Sequence, residues 1–193
     1  DPRILTQQEL EDRMASPQGL GDVTRVVMIQ CVGPAEQTCA RTCCTVALKN
    51  ALRLKEIRPE AQVTILYRDM RTYGFKERLY TEARAGGVRF LRYDESHKPK
   101  VDPLEQVAGL RVQAWEPALG EPLSLAVDLV VLSMPTVPAE GSRALATTLK
   151  VPVDQDGWFL EAHIKLRPVE FASSGIYLAG AAHFPKLLDE SVV

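Results

Sequence analysis

No apolar run in these 193 residues approaches the roughly 20 needed for a membrane-spanning helix. The longest, such as Leu129–Leu132, fall far short, so direct membrane insertion is not expected. Charge of either sign is also in short excess. With 23 basic and 25 acidic residues the formal net charge is -2. Phosphate backbones are held by basic surfaces, so no nucleic-acid partner is expected, and an anionic lipid surface has little to attract. The chain opens Asp1-Pro2-Arg3 with no apolar leader, which predicts a cytoplasmic protein in a reducing compartment. There, clustered cysteines serve more often as metal ligands or catalytic thiols than as disulfides. Two motifs are missing. After the first buried apolar run the chain reads Gln30-Cys31-Val32-Gly33-Pro34, with one glycine where a dinucleotide-binding turn has three, so NAD(P) is not expected there. No C-x2-C pair exists, which disfavours a zinc knuckle.

What is present is enough apolar residue, 46%, to bury a core. Residues 1–24 read as an approach segment in which Thr6 and Glu9 have capping-box spacing. Residues 25–126 read as a domain of alternating strand and helix. Val26–Ile29, Val63–Tyr67 and Val88–Leu91 are strands. Residues 40–57 are a helix with apolar positions Ala47, Leu48, Ala51, Leu52 and Leu54, and 76–85 a second helix. The order predicts an α/β fold, a Rossmann-like parallel sheet with helices on both faces. Leu110–Trp115 and Leu123–Val127 read as a small β-meander. The third segment, 127–193, holds a strand at 127–132, a helix at 142–149 and a last strand at Ile176–Ala179. Ser191–Val193 stops inside what reads as a first helical turn, and Asp1 stands where an initiator Met would. The chain is therefore expected to be a central or C-terminal fragment of a longer protein.

All four cysteines, Cys31, Cys39, Cys43 and Cys44, fall in one pattern, C-x7-C-x3-C-C. Cys31 ends a predicted strand. Cys43 and Cys44 open a helix, where unpaired N–H groups and the positive end of the dipole favour anionic sulfur. Four soft thiolates suit an iron–sulfur cluster. Adjacent cysteines diverge, which suits a cluster with several irons better than one zinc ion. Zinc, and thiols kept free or paired, stay open as alternatives.

Several longer strings carry a family resemblance: VVMIQCVG (26–33), CARTCCTVALKNALRLKE (39–56), TILYRDMRTYG (64–74), DLVVLSMPTVPAEG (128–141), DGWFLEAHIKLRPVE (156–170) and GIYLAGAAHFPKLLDESV (175–192). Together they resemble the heterodisulfide reductase A-subunit family, including the related flavoprotein subunits of the quinone-interacting membrane-bound oxidoreductase complex. The resemblance implies a thioredoxin-reductase-like FAD domain, of which 127–193 would be part. It implies an oxidoreductase component passing electrons between FAD and [4Fe–4S] clusters, the fragment being inactive alone. Cys31, Cys39, Cys43 and Cys44 match the cluster ligands. Gly180, Ala181 and Ala182 match the strand end where FAD is held, with Lys186 beside the flavin ring. The other subunits of a redox complex are the implied partners, with a homodimer compatible, and the complex could associate with the cytoplasmic side of a membrane. The sequence departs from the family in a shorter Cys31–Cys39 spacing and in Met134-Pro135, where Thr-Gly is common. The alternatives in function are a zinc-stabilised subunit-interaction module and a fragment of an NAD(P)H-dependent flavin oxidoreductase.

Among the remaining residues, Asp69 reads as a cap or a partner of Arg71. His163 reads as a residue of a turn or a strand rim, while His183, directly after Gly180–Ala182, is a candidate for function. Trp115 and Trp158 read as packing residues.

Overall fold

The computed structural model describes residues 1–16, 19–34, 39–104 and 109–192. The chain divides into two compact units, Asp1–Ala35 with Cys43–Met134, and Glu36–Thr42 with Pro135–Val193.

In the first unit the elements run β1 (Ile4–Thr6), α1 (Gln7–Ala15), β2 (Arg25–Ile29), α2 (Thr42–Ile57), β3 (Gln62–Tyr67), α3 (Glu77–Ala85), β4 (Arg89–Arg92), β5 (Lys100–Pro103), β6 (Leu110–Glu116), β7 (Glu121–Val127) and β8 (Leu129–Leu132). Five strands form a parallel sheet in the order β1-β8-β2-β3-β4. The other three form an antiparallel meander, β5-β6-β7. Strands β2, β3 and β8 are apolar on both faces, so both faces need cover. On one face Val26, Met28, Val63, Ile65 and Val131 pack with Leu10 of α1, Ala47, Leu48, Ala51 and Leu54 of α2, and Ala83 of α3. On the other, Val27, Ile29, Leu66 and Val130 pack with Leu110, Val112 and Ala114 of β6 and Val127 of β7. The α/β class is as expected. The second face differs in detail, because the meander covers it where helices were expected. Alternation in β6 explains this: Leu110, Val112 and Ala114 are buried while Arg111 and Gln113 are exposed.

Residues 1–24, read as an approach, supply a strand and a helix of this unit. Leu5 pairs with Val131 in the sheet. The expected capping box is present: Glu9 N–H donates to Thr6 Oγ1 at 3.2 Å and Thr6 N–H donates to Glu9 Oε2 at 2.7 Å. A buried polar chain ties α1 and α2 to the end of β8. Gln7 Nε2 donates to Ser133 Oγ at 3.1 Å, and Asn50 Nδ2 donates to Gln7 Oε1 at 2.9 Å.

The second unit holds α4 (Ser142–Leu149) and a short α5 (Leu188–Ser191). Its small core is Ala146, Val151, Phe159, Phe171 and Leu178. Ile176–Ala179 is no strand. Tyr177 makes one isolated bridge, to Glu170, because the turn at Gly175, with φ +81, leaves too short a return for a ladder. Among the described residues no helix is long and apolar enough to cross a membrane.

At the start of β2, Asp128 accepts from the N–H groups of Thr24 and Arg25 at 3.0 and 2.8 Å and from Arg25 Nη2 at 2.6 Å. Burial pushes this carboxyl up, but the bonds from Arg25 and Thr24 outweigh it and hold it at about 2. A carboxyl depressed in the folded state stabilises the fold above its unfolded value and loses that contribution as pH falls through the folded one. Replacing Asp128 with Asn should therefore cost about 1 kcal/mol at pH 7, a figure kept small by solvent screening. The gap between D128N and the wild type in urea unfolding should close between roughly pH 4 and pH 2.

Candidate cluster site and flavin segment

Because β2 and β3 are parallel neighbours, the segments after them and the start of α2 lie at one edge of the sheet. Ligands of open α/β sheets bind at that carboxyl edge. Cys31, two residues beyond β2, has φ +56, a left-handed conformation that a β-carbon disfavours by about 1 kcal/mol or more. Its carbonyl and that of Gln30 are held by the buried Tyr93 hydroxyl, which donates to them at 3.2 and 2.5 Å. Burial, then the adjacent Cys31 thiol, push the Tyr93 phenol well above its ordinary value. The Arg68 guanidinium, just past β3, hydrogen-bonds the Cys31 thiol and pairs with Glu95.

Cys43 and Cys44 sit in the first turn of α2 and hydrogen-bond each other. Cys44 is 1% exposed. Its Sγ accepts from Arg71 N–H at 3.5 Å and donates to the Asp69 carbonyl at 3.7 Å. The bond with Cys43 brings the Cys44 thiol down to about 7; burial opposes this, and Arg71 N–H adds to it. Cys39 is exposed and belongs to the second unit. Among the described residues no group of three His, Cys, Asp or Glu side chains is gathered as a single metal ion would need. The donor chemistry suits an iron–sulfur cluster: a thiol poised to ionise at neutral pH, a paired neighbour and a backbone N–H aimed at sulfur.

In the second unit Gly180, Ala181 and Ala182 form one 3-10 turn, with Gly180 at φ +55. Phe159 N–H donates to the Ala182 carbonyl at 3.2 Å. His183 follows, its Nε2 3.6 Å from Glu161 Oε1 and its Nδ1 buried with no partner. Burial lowers the His183 pKa, Glu161 opposes this, and Lys186 lowers it further. Lys186 Nζ lies 4.6 Å from the centre of the Phe184 ring. An orphaned ring nitrogen beside this turn is compatible with a polar group such as a flavin lying there.

Asp69 is a partner of Arg71, at 3.6 Å, and also of Arg92. His163 Nδ1 accepts from the N–H groups of Lys165 and Leu166, a turn role. Trp158 is buried, and Trp115 stacks on His97 at 4.6 Å. Sequence reasoning missed Arg68, Tyr93 and Glu161. Arg68 stands directly after a predicted strand, a signal that could have found it; the other two meet their partners only through the fold.

The chain has the fold of an ornithine N-hydroxylase from Kutzneria sp. 744, a structure holding reduced FAD and NADP+. The TM-score is 0.51 at 16% identity, covering 97% of this chain and 54% of that one. At this identity the likeness is one of fold. No protein-family model matches, but whole-chain similarity does. The chain is 36% identical over 200 residues to the A subunit of ferredoxin:CoB-CoM heterodisulfide reductase from Methanosarcina acetivorans, covering 100% of this chain and 24% of that protein. It is 37% identical over 175 residues to an iron-sulfur A subunit of CoB--CoM heterodisulfide reductase, the second of two in Methanopyrus kandleri, covering 87% and 26%. It is 34% identical over 206 residues to the corresponding iron-sulfur A subunit of Methanocaldococcus jannaschii, covering 98% and 31%. The chain belongs to the heterodisulfide reductase A-subunit family and spans a quarter to just under a third of these relatives' length.

Removing the Tyr93 hydroxyl should free the Cys31 turn. Y93F is expected to cost about 1–2 kcal/mol in urea unfolding, because the buried Gln30 carbonyl and the part-buried Cys31 carbonyl lose the proton they share. It should also raise the alkylation rate of Cys31; an unchanged rate would mean that the turn holds itself.

Proposed function

We propose that this chain is the cluster-bearing part of an electron-transfer subunit of the heterodisulfide reductase type. Cys31, Cys39, Cys43 and Cys44 would hold a [4Fe–4S] cluster, and Gly180, Ala181, Ala182 and Lys186 would contact FAD in the intact protein. The cluster supplies one-electron chemistry, and FAD connects one-electron with two-electron chemistry. The chain's own residues do the rest. Tyr93 and the left-handed turn orient Cys31. The Arg71 N–H stabilises anionic sulfur at Cys44. The aliphatic layer of Ile29, Leu66 and β6 keeps water from the sheet behind the site. Lys186 is a cation suited to stabilising reduced, anionic flavin.

The observation that carries the reading is the position of the thiols. Cys31, Cys43 and Cys44 occupy the carboxyl edge of the parallel sheet, where a Rossmann unit would cradle phosphate, and the loop there keeps one glycine, Gly33. The relatives named as iron-sulfur subunits support it. By the same reading the partners are other subunits of a redox complex in the cytoplasm.

The test is anaerobic reconstitution with iron and sulfide. About four irons per chain and broad absorbance near 400 nm are expected. Cys39→Ala and Cys43→Ala should each lose most of that iron while far-UV circular dichroism stays unchanged. Full iron content in both variants would refute the ligand assignment.

A further inference from the structure

Between Cys39 and Cys43 lies Arg41, a residue without a role in the reading above. It has φ +55, a conformation in which an arginine pays a steric cost that glycine would not. Thr42 N–H donates to the Ala40 carbonyl at 2.6 Å, closing a tight turn around it. An L-residue kept in such a turn points to a use for its side chain.

The side chain is engaged within the second unit. Arg41 Nη1 lies 2.6 Å from Glu190 Oε1, with each side chain about a quarter exposed, at 25% and 26%. Its guanidinium carbon is 5.5 Å from the centre of the Phe184 ring. Glu190 is itself fixed, because its Oε2 accepts from Leu187 N–H at 2.9 Å at the start of α5. The Phe184 ring also carries Lys186. The residues around Cys39 are the only part of the second unit that precedes residue 135. A half-buried, charge-assisted bond with an aromatic face beside it holds far better than an exposed pair.

We propose that Arg41 is a positioning residue. Its ion pair with Glu190 anchors the Cys39 segment to the Phe184–Glu190 turn and so presents the Cys39 thiolate as a cluster ligand. This rests on the cluster reading for its second half only. The anchor itself is a property of the chain without any cofactor.

The experiment has two arms. In a C31S/C43S/C44S background, alkylation of Cys39 at fixed pH measures how firmly its segment is held. R41A and E190Q should each speed it by about fivefold or more, as local opening becomes easier. R41G should behave like R41A, which would assign the effect to the guanidinium and not to the backbone. The swap R41E/E190R should restore the slow rate. In the four-cysteine chain reconstituted with iron and sulfide, R41A should lose iron and alter the electron paramagnetic resonance signal of the reduced cluster, with the thermal unfolding midpoint unchanged. Unchanged alkylation in R41A and E190Q would overturn the anchor whatever the iron content. Faster alkylation in a protein whose wild type takes up no iron would leave the anchor standing and overturn both the ligand role and the cluster reading. Faster alkylation with wild-type iron and an unaltered signal in R41A would overturn the ligand role alone.

Discussion

Parallel pairing of β2 with β3, from Arg25 against Gln62 to Ile29 against Leu66, is the constraint on which the site depends. It brings the loop after each strand to the same edge. The Cys31 turn, the Cys43–Cys44 pair at the start of α2 and residues 68–71 are therefore brought to one edge by backbone ladders, and their own contacts fix them there. The apolar runs that make the ladders possible need cover on both faces. Helices supply one cover and the meander the other. A change in either layer would reach the thiols through the strands.

At the sheet edge, cysteines stand where a phosphate-binding unit has glycines. In a dinucleotide-binding unit, glycines let phosphate approach the backbone at the start of the helix. Here the same helix start keeps its positive dipole end, but two of its residues are cysteines. The electrostatic preference for an anion is retained, and the groups beside it are thiols. Cys44 shows the effect in miniature, with the Arg71 N–H on its sulfur and the thiol drawn down to about 7.

Much of the first unit was legible because continuous apolar runs and 3.6-residue spacing report burial directly. Val26–Ile29, residues 40–57 and Leu129–Leu132 show this. β1 escaped because three residues beside Pro2 carry no periodic signal, and β5 because Pro103 ends a polar stretch. In the second unit Ile176–Ala179 misled, since an apolar run reports burial without reporting a partner strand. The cysteine pattern was legible as a donor set. Its supports were not: Tyr93 reaches Cys31 across 62 residues and Arg41 reaches Glu190 across 149. Only the fold brings such pairs together.

In the sheet order β1-β8-β2-β3-β4, a central strand is the last to be made. Ile4 pairs with Val130, and Val26 with Leu129. On a growing chain, β2, β3 and β4 can assemble early, while β1 waits for a neighbour more than a hundred residues downstream. The meander must turn back before the gap between β1 and β2 can fill. Late, long-range closure of this kind is slow, and until it occurs the Val27–Ile29 edge is left open as a surface on which misassembly can begin.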